Sequence, residues 1–134
     1  MYFYNFKYTF LNLYIMKKLF VMAVPILPGK TPQFKKFINE LKGDRYLEFS
    51  DSRKRLAVRE RTYFQSTPLG DFVVVTLEGN DPDTAFKNFA KPNDEFTKWF
   101  TKEVREIHGY DLNSPPSGPL PELLIDSLEE VLQN

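Results

Sequence analysis

Phe72-Val73-Val74-Val75-Thr76-Leu77 constrains the fold of this chain more than any other segment. A β-branched run that is apolar on both faces has no side to give to water, so it has to lie inside its sheet with both faces covered. Thr67-Pro68-Leu69-Gly70 comes just before it. That turn is short enough to join Val58–Ser66 and Asp71–Glu78 as an antiparallel hairpin. Lys18–Leu27 is a second run that is apolar on both faces, and it too is expected to be a central strand covered on both sides.

The segments between these strands have helical spacing. Pro28-Gly29 ends the first strand, Thr31 reads as an N-cap and Pro32 as the first helical residue. Phe34, Phe37, Ile38 and Leu41 then mark one face. Gly43 interrupts, and a second helical stretch runs from about Asp44 to Leu56, carrying Leu47 and Phe49. Asp81 and Pro82 open a short helix to about Ala90. Asn93 is expected to cap a longer one ending near His108, striped by Phe96, Trp99, Phe100, Val104 and Ile107. Gly109 stops it. Residues 111–121 hold four prolines and form neither helix nor central strand. Leu123, Leu124, Ile125 and Leu128 fit a helix or a short fourth strand over 122–128.

The order β-α-β-β-α with a closing strand is that of an α+β, ferredoxin-like split βαβ sheet with its helices on one face. The other face would then expose a large apolar patch on a monomer. A homodimer joined through the sheet face resolves this.

At 134 residues one domain is expected, spanning 16–134. Residues 1–15 read differently from the rest. They hold seven aromatics and no Gly, Ala, Pro, Arg, Asp or Glu, and Met16-Lys17-Lys18 has the look of a start. The preferred reading is an upstream extension introduced by gene calling; the alternative is a strand in which Phe6, Tyr8 and Phe10 alternate with polar residues. The apolar run after Lys18 is followed by no small-x-small cleavage site, so a cytoplasmic protein is expected. No stretch reaches the roughly 18–20 apolar residues of a membrane span.

Lacking Cys, the chain has no disulfides, thiolate metal sites or Cys nucleophiles. A single His excludes a multi-His metal centre within one chain, and neither metal nor cofactor is expected. Eighteen basic and eighteen acidic residues leave no bulk attraction to nucleic acid. Arg53, Lys54, Arg55, Arg59 and Arg61 are clustered, but an RNA-reading sheet needs aromatics on its third strand, which is aliphatic here. They read as a solvated helix end pairing with Asp51 and Glu48. Gly29-Lys30-Thr31 lacks the earlier Gly of a phosphate loop and reads as a turn.

In its element order, and in the segments Val58-Arg59-Glu60-Arg61, Thr67-Pro68-Leu69-Gly70-Asp71, Glu78-Gly79-Asn80-Asp81-Pro82 and Phe96-Thr97-Lys98-Trp99-Phe100, the chain resembles the dimeric α/β-barrel superfamily over residues 17–128. The likeness is to small members related to antibiotic-biosynthesis-monooxygenase-like proteins. It implies a homodimer with a pocket between sheet and helices in each subunit, and it carries no catalytic signature.

Four residues stand out as a candidate site. Alternation places Glu60 with Val58, Thr62 and Phe64 on one face of the second strand, where a carboxylate has to be desolvated or paired. An arginine partner, Arg59 or Arg61, is one reading and a proton-transfer role another. His108 ends the last long helix, where it either complements the helix dipole or acts as a base. The sharpest expectation is that Glu60 and His108 form an acid–base pair in one pocket, with Tyr63 and Trp99 as substrate-binding walls. The function expected is binding of an unidentified small molecule by a homodimer, as a cofactor-free oxygenase or isomerase acting on an apolar compound. The alternative is a non-catalytic ligand-binding or structural dimer.

Overall fold

The computed structural model describes residues 17–114 and 120–128. It is an α+β fold with one three-stranded antiparallel sheet, order β1-β3-β2, and four helices. In chain order the elements are β1 (Lys18–Pro25), α1 (Thr31–Lys42), α2 (Tyr46–Arg55), β2 (Val58–Thr67), β3 (Gly70–Gly79), α3 (Pro82–Lys87) and α4 (Glu95–His108). Among the described residues no helix is long and apolar enough to cross a membrane.

β3 is the interior strand, as its two-faced apolar pattern requires. Phe20, Leu77 and Glu60 stand in one row across the sheet, followed by Met22, Val75 and Thr62, then Val24, Val73 and Phe64. These rows face the helices, and Leu77 is completely buried. The opposite face carries Leu19, Glu78 and Arg59, then Val21, Thr76 and Arg61, then Ala23, Val74 and Tyr63. The hairpin turn is two residues, Pro68-Leu69, between the paired Thr67 and Gly70.

β1 differs from expectation. It ends at Pro25 and is an edge strand among the described residues, with Leu19 exposed on the open face. Two-faced apolarity demands cover but does not say whether a strand or another surface supplies it. The segment 122–128 is also corrected: it forms neither strand nor helix. Residues 1–15 and the prolines at 115–119 lie outside the described residues.

Helix starts follow the side chains that reach free backbone N–H groups. Asp81 caps α3 by accepting from Thr84 N at 3.2 Å. The cap of α4 is Asp94 rather than Asn93; its carboxylate accepts from Thr97 N at 2.8 Å and from Thr97 Oγ1 at 3.0 Å. Thr31 is not the cap of α1, which begins after Lys30 without a side-chain cap. Its hydroxyl instead donates to Asp71 Oδ2 at 2.5 Å, tying the helix start to the base of β3. That bond is the first cause holding the Asp71 carboxyl below its usual range.

Gly79 closes β3 where no side chain fits. A Cβ there would stand 2.5 Å from the Ala57 carbonyl oxygen, and Ala57 itself turns the chain into β2 with a φ of 56°. Gly79→Ala is therefore expected to lower stability by about 1–3 kcal/mol. Ala57→Gly relieves a left-handed residue and should leave stability unchanged or raise it by about 1 kcal/mol. Urea midpoints measured side by side check both.

Candidate functional site

Helices α1, α3 and α4 cover the inner sheet face without filling it. Between them lies a cavity of about 70 Å³. Its walls are apolar, with Phe34 and Phe37 from α1, Phe86 and Phe89 from α3 and the turn after it, and Val73 and Val75 from β3. Four polar side chains reach it: Glu60, Thr62, His108 and Tyr110. The two residues expected as an acid–base pair thus line the same space, each bonded to something else.

Glu60 Oε2 accepts from Arg53 Nε at 2.5 Å, and both side chains are 7% exposed. Glu60 Oε1 accepts from Thr62 Oγ1 at 3.1 Å. Its arginine partner comes from α2, not from Arg59 or Arg61 on its own strand, whose side chains point to the other face. Arg53 is consequently no solvated helix end. Its guanidinium sits 4.1 Å from the Phe89 ring centre, 4.8 Å from Phe100 and 4.9 Å from Phe49, and Nη1 donates to Ser52 Oγ at 2.8 Å. Desolvated cation–π contacts contribute about 2 kcal/mol and help hold a buried charge of this kind. The signal for Arg53 was in the sequence: it lies four residues after Phe49 and three before Leu56, on the inward stripe of α2.

His108 lines the cavity from the end of α4. Leu27 N donates to Ile107 O at 2.9 Å, which fixes the end of α4 against the exit of β1. The His108 ring then meets the Pro25 carbonyl, with Nδ1 2.9 Å from the oxygen. A carbonyl only accepts, so Nδ1 carries the proton and Nε2 is left as an acceptor. Burial pushes the imidazole pKa below its usual 6.5, against the smaller opposing effect of the Pro25 bond. Pro25 lies opposite Phe72 and Gln65, five residues along β2 from Glu60. That is about 16 Å of strand. Among the described residues no hydrogen bond joins Glu60 to His108; each is held by a different partner.

Tyr110 is the residue that sequence reasoning missed. Gly109 ends α4 in the left-handed conformation, its N–H donating to Arg105 O at 2.8 Å, and the next residue folds back onto the core. An apolar side chain at that position commonly does so. Its ring lies 6.4 Å from Phe86, and its hydroxyl is buried with no hydrogen-bond partner. Burial raises the phenol pKa, keeping it protonated.

Tyr63 and Trp99 stand elsewhere. Tyr63 is 55% exposed on the open sheet face. Trp99 packs 5.2 Å from Phe37 on one side, with the Arg45 guanidinium 4.2 Å above its ring. Arg45 is itself held by Glu95 at 2.9 and 3.0 Å. Neither side chain lines the cavity. Among the described residues no three His, Asp or Glu side chains cluster to hold a metal ion. No protein-family model, curated protein or solved structure matches this chain.

Two outcomes follow from these environments. Removing one member of the buried ion pair, as in Glu60→Leu or Arg53→Met, should cost about 3–5 kcal/mol, and the double substitution should recover most of it. A urea-denaturation cycle measures both. His108 has a folded pKa below its unfolded one, so the unfolded state binds the proton first. Its contribution to stability is full above about pH 6.5 and declines as the pH falls from there toward the folded value. Urea midpoints at about pH 7.5 and 5.5 should show that loss in the wild-type chain and a smaller one in His108→Gln.

Proposed function

We propose that the cavity binds a small, mostly apolar molecule carrying one carbonyl or hydroxyl group, recognised by Tyr110 and His108. The observation that carries this reading is the Tyr110 hydroxyl: a buried donor without a partner among the described residues, in a mostly apolar cavity. An unmade buried hydrogen bond costs about 1–3 kcal/mol, which a ligand oxygen would recover. His108 Nε2 adds an acceptor on a residue lining the same cavity. The volume is about half that of the 150 Å³ cavity that takes up benzene. That volume suits a group of a few heavy atoms.

The same groups suit proton transfer. A neutral imidazole at Nε2 takes a proton from a carbon beside a carbonyl, or from a phenol, while the Tyr110 O–H donates to the oxygen on which charge develops. Returning the proton to another carbon isomerises the compound. With molecular oxygen as co-substrate, the same anion is the species a cofactor-free oxygenase requires. In this reading Glu60 remains the ionic partner of Arg53. We also take the fold to be ferredoxin-like and the protein to be a homodimer through its open sheet face, as in dimeric α/β barrels. Supporting this, β1 and β2 flank β3 in the order such a sheet uses, and Leu19, Val21 and Ala23 line the open face.

A second reading, a non-catalytic ligand-binding or structural dimer, is favoured by one feature. Among the described residues the one carboxylate lining the cavity is already committed to Arg53.

A thermal-shift screen of small ketones, aldehydes and phenols tests binding. Tyr110→Phe is expected to fold as stably as the wild-type chain or more so, since its hydroxyl has no partner to lose. It should nevertheless bind the hits about tenfold more weakly. Equal affinity in Tyr110→Phe and His108→Gln would remove the site. Binding without exchange of the ligand's acidic protons in heavy water would select the non-catalytic reading.

A further inference from the structure

The described part of the C-terminal segment is an apolar strip with little to cover it. Leu123, Leu124 and Ile125 are 75%, 83% and 86% exposed, and Leu128 is 48% exposed. Their backbone forms neither helix nor strand. Three consecutive large apolar side chains standing in water are costly, and such a patch ordinarily marks an interface. Resting on the homodimer reading above, we infer that this segment, Glu122–Asp126, docks on the open sheet face of a second copy of the chain, each copy covering the other about a two-fold axis.

Position supports this occupant. The segment passes the Leu19–Val21 corner of its own open face across a groove of about 710 Å³ lined by Lys17, Leu19, Val21, Pro121, Leu123 and Leu128. The apolar strip therefore continues the apolar sheet face and enlarges it. A two-fold contact pairs one patch with its own copy, so both surfaces of the interface come from this one chain.

Charge supports it as well. On the open face Arg59 has no ion pair among the described residues, and Arg61 lies a loose 4.0 Å from Glu78. The segment brings two carboxylates, Glu122 and Asp126, which also have no ion pair among the described residues. An apolar strip flanked by acids thus matches a face whose apolar β1 side, Leu19, Val21 and Ala23, stands across the sheet from the β2 arginines, with Glu78 between them already beside Lys17 and Arg61.

Area is a third consideration: the exposed apolar segment adjoins the open face and adds to the surface it can offer toward the about 800 Å² per partner that a stable interface takes.

The test uses the full chain in sedimentation equilibrium or light scattering over a micromolar dilution series. Leu124→Asp with Ile125→Asp changes side chains that bury little in the single subunit, so the urea midpoint of the monomer should not move. Ala23→Arg alters an exposed position on the open face. The expected result is a wild-type dimer whose dissociation constant rises about a hundredfold or more in the tail variant and also rises in Ala23→Arg. A dimer weakened by Ala23→Arg but not by the tail variant overturns the docking and leaves the sheet-face homodimer standing. One weakened only by the tail variant places the segment elsewhere and overturns the docking too. A wild-type monomer, or a dimer indifferent to both changes, overturns this inference and the homodimer reading together.

Discussion

The inner face of β3 organises this molecule. Val73 and Leu77 are almost wholly buried, and the helical layer exists to keep water from them and their neighbours in β1 and β2. Burying apolar area at about 25 cal/mol per Å² is the dominant favourable contribution available to a chain of this size. Phe34, Phe37 and Leu41 of α1, together with Phe96, Phe100 and Ile107 of α4, meet over that face. Two devices fix the helices in place. Thr31 ties α1 to Asp71, and the Leu27–Ile107 backbone bond ties α4 to the end of β1. The same bonds set where the cavity is and which side chains reach it.

The Arg53–Glu60 pair answers a problem this packing creates. Glu60 stands in the row of Leu77 and Phe20, the most deeply covered part of the sheet. A carboxylate there has to find a cation, and α2, packed against β2, supplies one. The charges are then held by a short hydrogen bond, the Ser52 and Thr62 hydroxyls and three aromatic rings. Such a pair adds little net stability over a well-packed apolar core, but it leaves few alternative registers for α2 against β2. The other polar groups that line the cavity, His108 and Tyr110, have no ionic partner among the described residues. One is bonded to a backbone carbonyl and the other to nothing, so these two are the chemically available groups.

Much of the architecture could be read from local pattern. The hairpin, the Asp81 cap, the stop at Gly109 and the stripes of α1 and α4 each depend on residues within a few positions of one another. Two helix starts differ by one residue from expectation: Thr31 gives its hydroxyl to the distant Asp71, so α1 begins after an uncapped Lys30, and of the adjacent Asn93 and Asp94 it is Asp94 that reaches Thr97 N. The edge position of β1 was not legible, because an apolar face states that cover is needed and not what supplies it. Within the site, alternation along β2 placed Glu60 on the inner face correctly. Its partner was misassigned because Arg59 and Arg61, near in sequence, point to the opposite side.

The sequence by itself determined the elements from β1 to α4 and their order, though not the absence of one over 122–128, together with the interior place of β3 and the inward facing of Glu60, since periodicity and turn chemistry are local properties of the chain. Only the tertiary structure decided that Arg53 leaves solvent for an aromatic cage, and that Glu60, His108 and Tyr110 line one cavity with the first two bonded elsewhere. It also left Leu123–Ile125 exposed beside the open face. Each of these depends on which surfaces meet once helices cross a sheet, and the energies that select those meetings come from residues far apart in the chain.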